Sequence, residues 1–529
     1  MRLIRFHIEN YRVLKNVPIH FSPLLPDQRF LPVQQSYALD FLAGVNGTGK
    51  STVLHLLGRL FFHLQQDNYS EYFIAPIRLE YQLQTSSDET VRVIISNISD
   101  EENLEGKLYY QINDEERRFE KPRETYLPKH IVIYTTGSEA EWLAALAKEP
   151  DGGAAVSNEP YSEEAEVHLY LGELPGQRRL AADDVDSAES LAKKPVRFIR
   201  SDRLPLVALC GLLGSRYYQH RESQQHESLE PVLESLNLDQ LVSFSLRIRD
   251  RRGFISDSQQ EIVERLSQAA NMRIRQEGDL LLLFDMAQQP IQPPTEDIRS
   301  IFSIYDSEAA DDAPLELFRQ LNVLCEKRPF ADAPLQAVNL FLRRVEHRAK
   351  EEEEQTSERP MLQQFDWLSD GERSFLARMA LFALFRSDNL LILLDEPEVH
   401  FNDIWKRRIV EMLDTIMQGK KSHALITTHS SIALSDVPPE NIMKLERTGM
   451  EVTALRPRFQ TFGADPGDIM VHVFGAPQAA GQYSVEHIRD ILVKARNGRV
   501  NRSELLDYLN GVAPGYWSYR IRRQLIRMQ

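Results

Sequence analysis

Lys50 and Ser51 close the run Gly44, Val45, Asn46, Gly47, Thr48, Gly49, Lys50, Ser51, which fits GxxxxGK[ST]. Glycines at these places let the backbone curl so that successive N–H groups converge on one point. A following helix N-terminus adds its dipole and the lysine adds a full charge, which together make a cradle for phosphates. The setting agrees: "YALDFLAG" reads as a buried strand ending in glycine, and "STVLHLLGRLFFHL" has apolar residues at helical spacing. Asn46, Gly47, Thr48, Gly49, Lys50, Ser51 and Thr52 are therefore candidate ligands of a nucleoside triphosphate. Lys50 would act on the β and γ phosphates, and Ser51 would give Mg²⁺ a hydroxyl.

Such a loop needs a carboxylate for the metal and a group to orient the attacking water. "NLLILLDEPEVHF", Asn389 to Phe401, offers both, with Asp395 as the candidate metal ligand and Glu396 as the candidate catalytic residue at the end of an apolar strand. Just before it, "LSDGERSFLARMALFALF" opens on Ser369, a plausible N-cap, and continues as an apolar-periodic helix. A helix N-terminus carrying a serine and Gly371 is a second anion site. "SHALITTHSS", Ser422 to Ser431, is another apolar strand ending in polar residues, among them His429, a candidate γ-phosphate contact.

In this order the pieces resemble the ATP-binding cassette ATPases: P-loop, signature helix, acidic strand, switch histidine. The resemblance lies with the SMC, Rad50, RecF and OLD side. "IRFHIENYRVLKNVPIHF" is similar to the first hairpin of that side, which implies that Arg12, beside Tyr11, lies near the nucleotide. "LSDGE" stands where the family has LSGGQ or LSGGE, which implies contacts from Ser369, Gly371 and Glu372 to ATP held by a second copy. "DEPEVHFND" resembles the DEPE-x-HLHP form, with Asn402 and Asp403 replacing the second His and the Pro. Asp370 replaces a glycine, and its carboxylate would repel the γ-phosphate if it pointed inward. No Q-loop glutamine can be assigned; the segment after "HIVIYTTGSEAEW", His130 to Trp142, is where one belongs.

With "TFGADPGDIMVHVFG", Thr461 to Gly475, these motifs resemble the PtuA-like ATPases of Septu antiphage defence systems, over about half the chain. That resemblance implies a homodimer or higher homo-oligomer and a partner HNH nuclease of the PtuB kind. In retron-associated versions it also implies a reverse transcriptase with its RNA–DNA product. A DNA repair ATPase of RecF type stays open as the alternative. The stretch from Glu451 to Gln529 is too short for the Toprim nuclease of OLD enzymes and has no DxD pair, so no nuclease of its own is expected.

The elements that must position these residues follow from pattern and composition. A formal net charge of −16 argues against a surface that coats nucleic acid, leaving local basic patches at "LRIRDRR", Leu246 to Arg252, and "YRIRRQLIRMQ", Tyr519 to Gln529. Cys210 and Cys325 have no metal or redox spacing, and no apolar run is long enough for a membrane span, so a cytoplasmic protein is expected. The expected fold is α/β: an ABC-type P-loop ATPase head, RecF/SMC-like, with a large mixed β and helical insertion and a helical C-terminal tail. The expected divisions are 1–138, an N-terminal ATPase lobe with an antiparallel sheet; 139–194, an acidic loop; and 195–364, a helical insertion lobe. After these come 365–460, the C-terminal ATPase lobe, and 461–529, a helical tail that is a candidate docking region. Within the insertion, "LPLVALCGLLGSRYYQHRE", "SQQEIVERLSQAANMRI" and "APLQAVNLFLRRVEHRAKEEEEQ" read as helices, the last ending in a solvated glutamate turn; no heptads are sustained.

Overall fold

In the computed structural model the residues described are 1–21, 37–65, 69–84, 89–98, 106–113, 115–146, 196–221, 229–249, 255–276, 278–287, 313–326, 332–344, 361–385, 388–417 and 420–528. Ala38–Ala43 (β3), His130–Thr135 (β7), Leu390–Asp395 (β14) and His423–Thr428 (β15) are buried at every residue, as strands covered on both faces must be. With Val196–Ile199 (β8), Ile442–Thr448 (β16) and Glu451–Leu455 (β17) they build a seven-stranded sheet among the described residues, in the order β17-β16-β3-β15-β14-β7-β8. Every pairing is parallel except β16 with β17.

A second sheet is antiparallel. Arg2–Tyr11 (β1), Leu14–His20 (β2), Ile77–Gln84 (β4), Thr90–Ser96 (β5) and Tyr109–Ile112 (β6) are ordered β2-β1-β4-β5-β6. The P-loop helix, Lys50–Gln65, shares one core with both sheets: Leu54, Leu57 and Phe61 cluster with Phe6, Leu79, Tyr81 and Val93, and with Ile133 and Leu393 of the parallel sheet. Removing such side chains from water stabilises by about 1.5–3 kcal/mol each, so the helix start is fixed by large apolar contacts behind it.

The insertion differs from the helical lobe expected over 195–364. Leu238–Arg249 (β9), Met272–Gln276 (β10), Asp279–Asp285 (β11), Leu335–Arg344 (β12) and Met361–Gln364 (β13) form a third sheet, ordered β10-β11-β9-β12-β13. The stretch "LQAVNLFLRR" is thus strand β12, paired on both sides, because Leu340 and Leu342 alternate into the core. The helix within "SQQEIVERLSQAANMRI" stops at Ala269, and Met272 begins β10. The expected helix over Leu204–Arg221 is present, and Gly211 lets it lie backbone-close on the signature helix: a Cβ there would sit 2.5 Å from the carbonyl oxygen of Ala380. In "LRIRDRR", Leu246 and Ile248 are core residues, Arg247 is exposed, and Arg249 pairs with Asp332 at 2.7 Å and Asp279 at 3.9 Å; residues 250–252 lie outside the described residues.

The acidic stretch does not begin as a loop. Glu139–Leu146 is a helix, because Trp142 is buried edge-on against His55 and stacked with Phe198; residues 147–194 and the glutamate turn at 350–355 lie outside the described residues. The chain divides into two compact units, Met1–Ser430 with Glu440–Arg456, and Ser431–Pro439 with Pro457–Gln529. In the second, helices Gln482–Arg496, Arg502–Asn510 and Tyr516–Arg527 pack around Ile488, Leu492, Leu505, Ile521 and Leu525. No helix of the described residues is long and apolar enough to cross a membrane.

Candidate functional site

Parallel strands in register bring their carboxyl ends to one level. Asp395 of β14 lies beside Thr427 of β15, and Thr428 beside Ala43 of β3, so the loops after all three strands open on the same edge. Such an edge is where open α/β sheets bind ligands. The P-loop follows β3, with left-handed backbone at Gly47 (φ 77°) and Gly49 (φ 90°). Gly49 has a second reason to lack a side chain: a Cβ would meet Leu14 at 2.7 Å and Val13 at 3.0 Å. The β1–β2 hairpin tip thus rests on the P-loop, and Arg12, itself left-handed at φ 54°, sits at that tip with its guanidinium over the Tyr11 ring.

Lys50 is buried, and its ammonium donates to the carbonyl of Gly44 at 3.0 Å and approaches Nε2 of His429 at 2.6 Å. Burial pulls its pKa down to about 8, against the raising effect of Glu396, Asp395 and Glu398. The same Nε2 lies 3.0 Å from Oε1 of Glu396, whose pKa is lowered chiefly by that hydrogen bond. One imidazole nitrogen therefore faces both an ammonium and a carboxylate; it accepts from Lys50 when unprotonated and donates to Glu396 when protonated.

Ser51 Oγ donates to Asp395 Oδ1 at 2.9 Å. Thr427 donates to the same oxygen at 2.6 Å, and Thr135 lies 3.4 Å from Oδ2. A hydroxyl and a carboxylate this close are hard oxygen donors of the kind Mg²⁺ takes together with phosphate oxygens and water, so Ser51 and Asp395 fit that ion. Among the described residues no group of three or more His, Cys, Asp or Glu could hold a metal alone.

Glu396 has φ 51°, an uncommon conformation for a side-chain-bearing residue, and its backbone is held on every side. Its N–H donates to the carbonyl and hydroxyl oxygens of Thr427, at 3.2 and 3.0 Å, and its carbonyl accepts from Thr136 Oγ1 at 3.0 Å. Of the segment after Trp142, where a Q-loop glutamine belongs, residues 147–195 lie outside the described residues, while Thr135 ends β7 and Thr136 follows it. Neither they nor Thr427 and the buried Glu398, which accepts from Thr428 and from the His429 amide at 3.3 Å, were singled out in the sequence. The available signal was the pair of threonines ending both "HIVIYTT" and "HALITT".

Ser369 caps the signature helix, Asp370–Leu384, in a reciprocal box: its Oγ accepts from the Glu372 amide at 3.3 Å, and Glu372 Oε2 accepts from the Ser369 amide at 2.8 Å. Glu372 is committed to that box and to Arg344 at 3.5 Å. Ser369 is exposed, and Asp370 points outward, 85% exposed and paired with Arg373. Gly371 packs against the loop after β14, where a Cβ would lie 2.9 Å from the carbonyl oxygen of His400.

The deciding observation is the strand order: P-loop strand β3 and carboxylate strand β14 flank β15, which His429 directly follows, with the capped helix leading into β14. This is the fold of an ABC-type P-loop ATPase head. A protein-family model described as "AAA domain, putative AbiEii toxin, Type IV TA system" matches residues 274–436, taking in the signature helix, Asp395, Glu396 and His429. "Protein ea59" of Escherichia phage lambda is 29% identical over 116 residues, which cover 20% of this chain and 22% of the phage protein. The chain thus matches about a fifth of that relative's length. The solved "SMC head domain from Thermotoga maritima" aligns with TM-score 0.33 and 11% identity, covering 87% of this chain and all of that one. An Smc head from Pyrococcus furiosus, with an extended coiled coil and bound to the C-terminal domain of ScpA, aligns with TM-score 0.28 and 12% identity, covering 86% of this chain and 96% of that one. Superpositions this loose add nothing to the topology, on which the head rests.

Proposed function

We propose that the head binds and hydrolyses ATP with Mg²⁺, that two copies close around the nucleotide, and that this cycle regulates a partner HNH nuclease in an antiphage defence complex. One observation carries the reading: Lys50, Ser51, Asp395, Glu396 and His429, drawn from three strands, converge on one sheet edge. The P-loop amides and Lys50 hold the phosphates, with Thr48 and Thr52 at the loop and helix start and Arg12 at the hairpin tip beside them. Ser51 and Asp395 would hold Mg²⁺, which shields phosphate charge when bound. Glu396 orients the attacking water and receives its proton, and His429 holds that carboxylate in place.

Ser369 presents a hydroxyl and Gly371 a backbone amide at the helix N-terminus, suited to the γ-phosphate held by the other copy. Trp367, 71% exposed, precedes that terminus, and Ile404, 68% exposed, follows the Glu396 loop; head-to-head association would cover both. Asp370, turned outward, leaves that approach open. The partner nuclease, and a reverse transcriptase with its RNA–DNA product in a retron setting, rest on the resemblance of the motifs. The toxin named in the matched family's description is in keeping with an output that must be restrained. The second compact unit, with Tyr516 and Tyr519 about 60% exposed beside Arg522 and Arg523, is the surface we assign to docking that nuclease.

Copurification with the products of neighbouring reading frames, followed by nuclease assays with and without ATP, tests this function. Cutting that responds to ATP and is altered by Lys50→Ala supports it. An ATP-indifferent nuclease defeats the regulatory part, and DNA-stimulated hydrolysis by the isolated protein would favour a repair ATPase.

A further inference from the structure

Arg378 is a buried charge that the phosphate chemistry does not use. It projects from the third turn of the signature helix, is 3% exposed, and directs its guanidinium at the loop that follows β14. Nη1 donates to the carbonyls of Pro397 and, at 2.6 Å, Val399. Nε donates to the Tyr134 hydroxyl at 3.1 Å, and the cation lies over the rings of Tyr134, at 5.4 Å, and Phe401, at 5.0 Å. Burying a guanidinium carries a large desolvation penalty, repaid here by loop carbonyls and two aromatic faces.

The loop it grips is bent at both ends. Glu396 (φ 51°) and His400 (φ 72°) both hold left-handed backbone, a strain of about 1–3 kcal/mol each that persists only where surroundings fix it. Inside the loop, the Val399 amide donates to the Glu396 carbonyl at 3.2 Å and the Phe401 amide to the Glu398 carbonyl at 3.0 Å, so carbonyls 397 and 399 are the ones left to Arg378. The helix that carries this arginine begins at Ser369, and Gly371 of its first turn packs on His400.

We infer that Arg378 is a positioning residue: it holds the Glu396–Phe401 loop so that the Glu396 carboxylate is aimed, and it ties that aim to the position of the Ser369 helix. Because a helix moves as a rigid rod, displacement of its N-terminus on meeting a second copy's nucleotide reaches the loop through this side chain. This rests on the proposed ATP hydrolysis for its consequence, though not for the clamp itself.

The test uses full-length Arg378→Met, which keeps most of the volume, and Arg378→Lys. Hydrogen exchange of the nucleotide-free protein should show faster exchange of the Val399 and Phe401 amides in Arg378→Met, with the Lys50–Gln65 helix unchanged. In turnover, kcat should fall by about 10–100-fold, the scale of a misplaced catalytic group, while KM for ATP changes less than about threefold. Arg378→Met added to Glu396→Gln should slow hydrolysis no further, since a residue that only aims a carboxylate has nothing left to aim. Arg378→Lys should recover part of the rate. Unchanged exchange at Val399 and Phe401 overturns the clamp, and a fully additive double variant overturns the link to Glu396. If exchange responds but the parent protein does not hydrolyse ATP, the clamp stands and the proposed function falls.

Discussion

The lowered pKa of Lys50 makes the affinity for ATP depend on pH in a way the geometry sizes. Burial beside the P-loop carbonyls brings this ammonium down to about 8 in the free protein, despite three carboxylates nearby. Phosphates at the loop favour the charged form, so the bound protein keeps the proton to higher pH than the free one. The sign follows: below pH 8 both states are protonated and affinity is flat, and above it each unit of pH costs binding, up to the raised pKa of the complex. At pH 9 about one free molecule in eleven still carries the proton, so affinity should fall about elevenfold, or ~1.4 kcal/mol at one pKa unit's worth. The last phosphate proton of the nucleotide is lost nearer pH 6 and does not confuse the window. Titration calorimetry from pH 7.5 to 9.5 in two buffers of different ionisation heat should show proton uptake approaching one per ATP at pH 9. Lys50→Arg, which does not titrate there, should bind more weakly and without the slope. An affinity that stays flat to pH 9.5, or an equal slope in Lys50→Arg, would refute the reasoning.

Three further outcomes are expected. Glu396→Gln should cut turnover by about 10²-fold or more and accumulate an ATP-bound dimer in sedimentation; a monomer at saturating ATP would count against closure around the nucleotide. Ser369→Arg should bind nucleotide as the parent does and fail to dimerise, whereas loss of binding itself would mean the helix start serves its own copy's P-loop. Gly49→Ala meets both the φ of 90° and the 2.7 Å contact with Leu14, a combined penalty of about 2–4 kcal/mol; a melting temperature and ATP affinity equal to the parent's would show that the hairpin tip yields freely.

The nucleotide edge was readable because its parts are short and local: a glycine-rich turn, two carboxylates ending an apolar strand, a capping serine three residues before a glutamate. What was not readable depends on partners far away in sequence. "LQAVNLFLRR" has apolar residues that suit either period, and its neighbours β9 and β13 settle it as a strand. Trp142 turns an acidic stretch into a helix only because His55 and Phe198 lie against it. Thr135 and Thr427 matter because parallel register sets both beside Asp395, across 260 and 32 residues of sequence. Arg378 looks like one more residue of an apolar helix until the loop at Pro397 is folded under it.

The sheet order also sets a schedule for biosynthesis. Ala38–Ala43 is buried at every residue, yet its partners β15 and β16 are translated about 380 residues later. At roughly 5–20 residues per second on the ribosome, that apolar strand waits some tens of seconds without its neighbours. Newly made chains should therefore lean on chaperones until their last quarter emerges, and yield in a heterologous host should track chaperone supply more closely than codon choice.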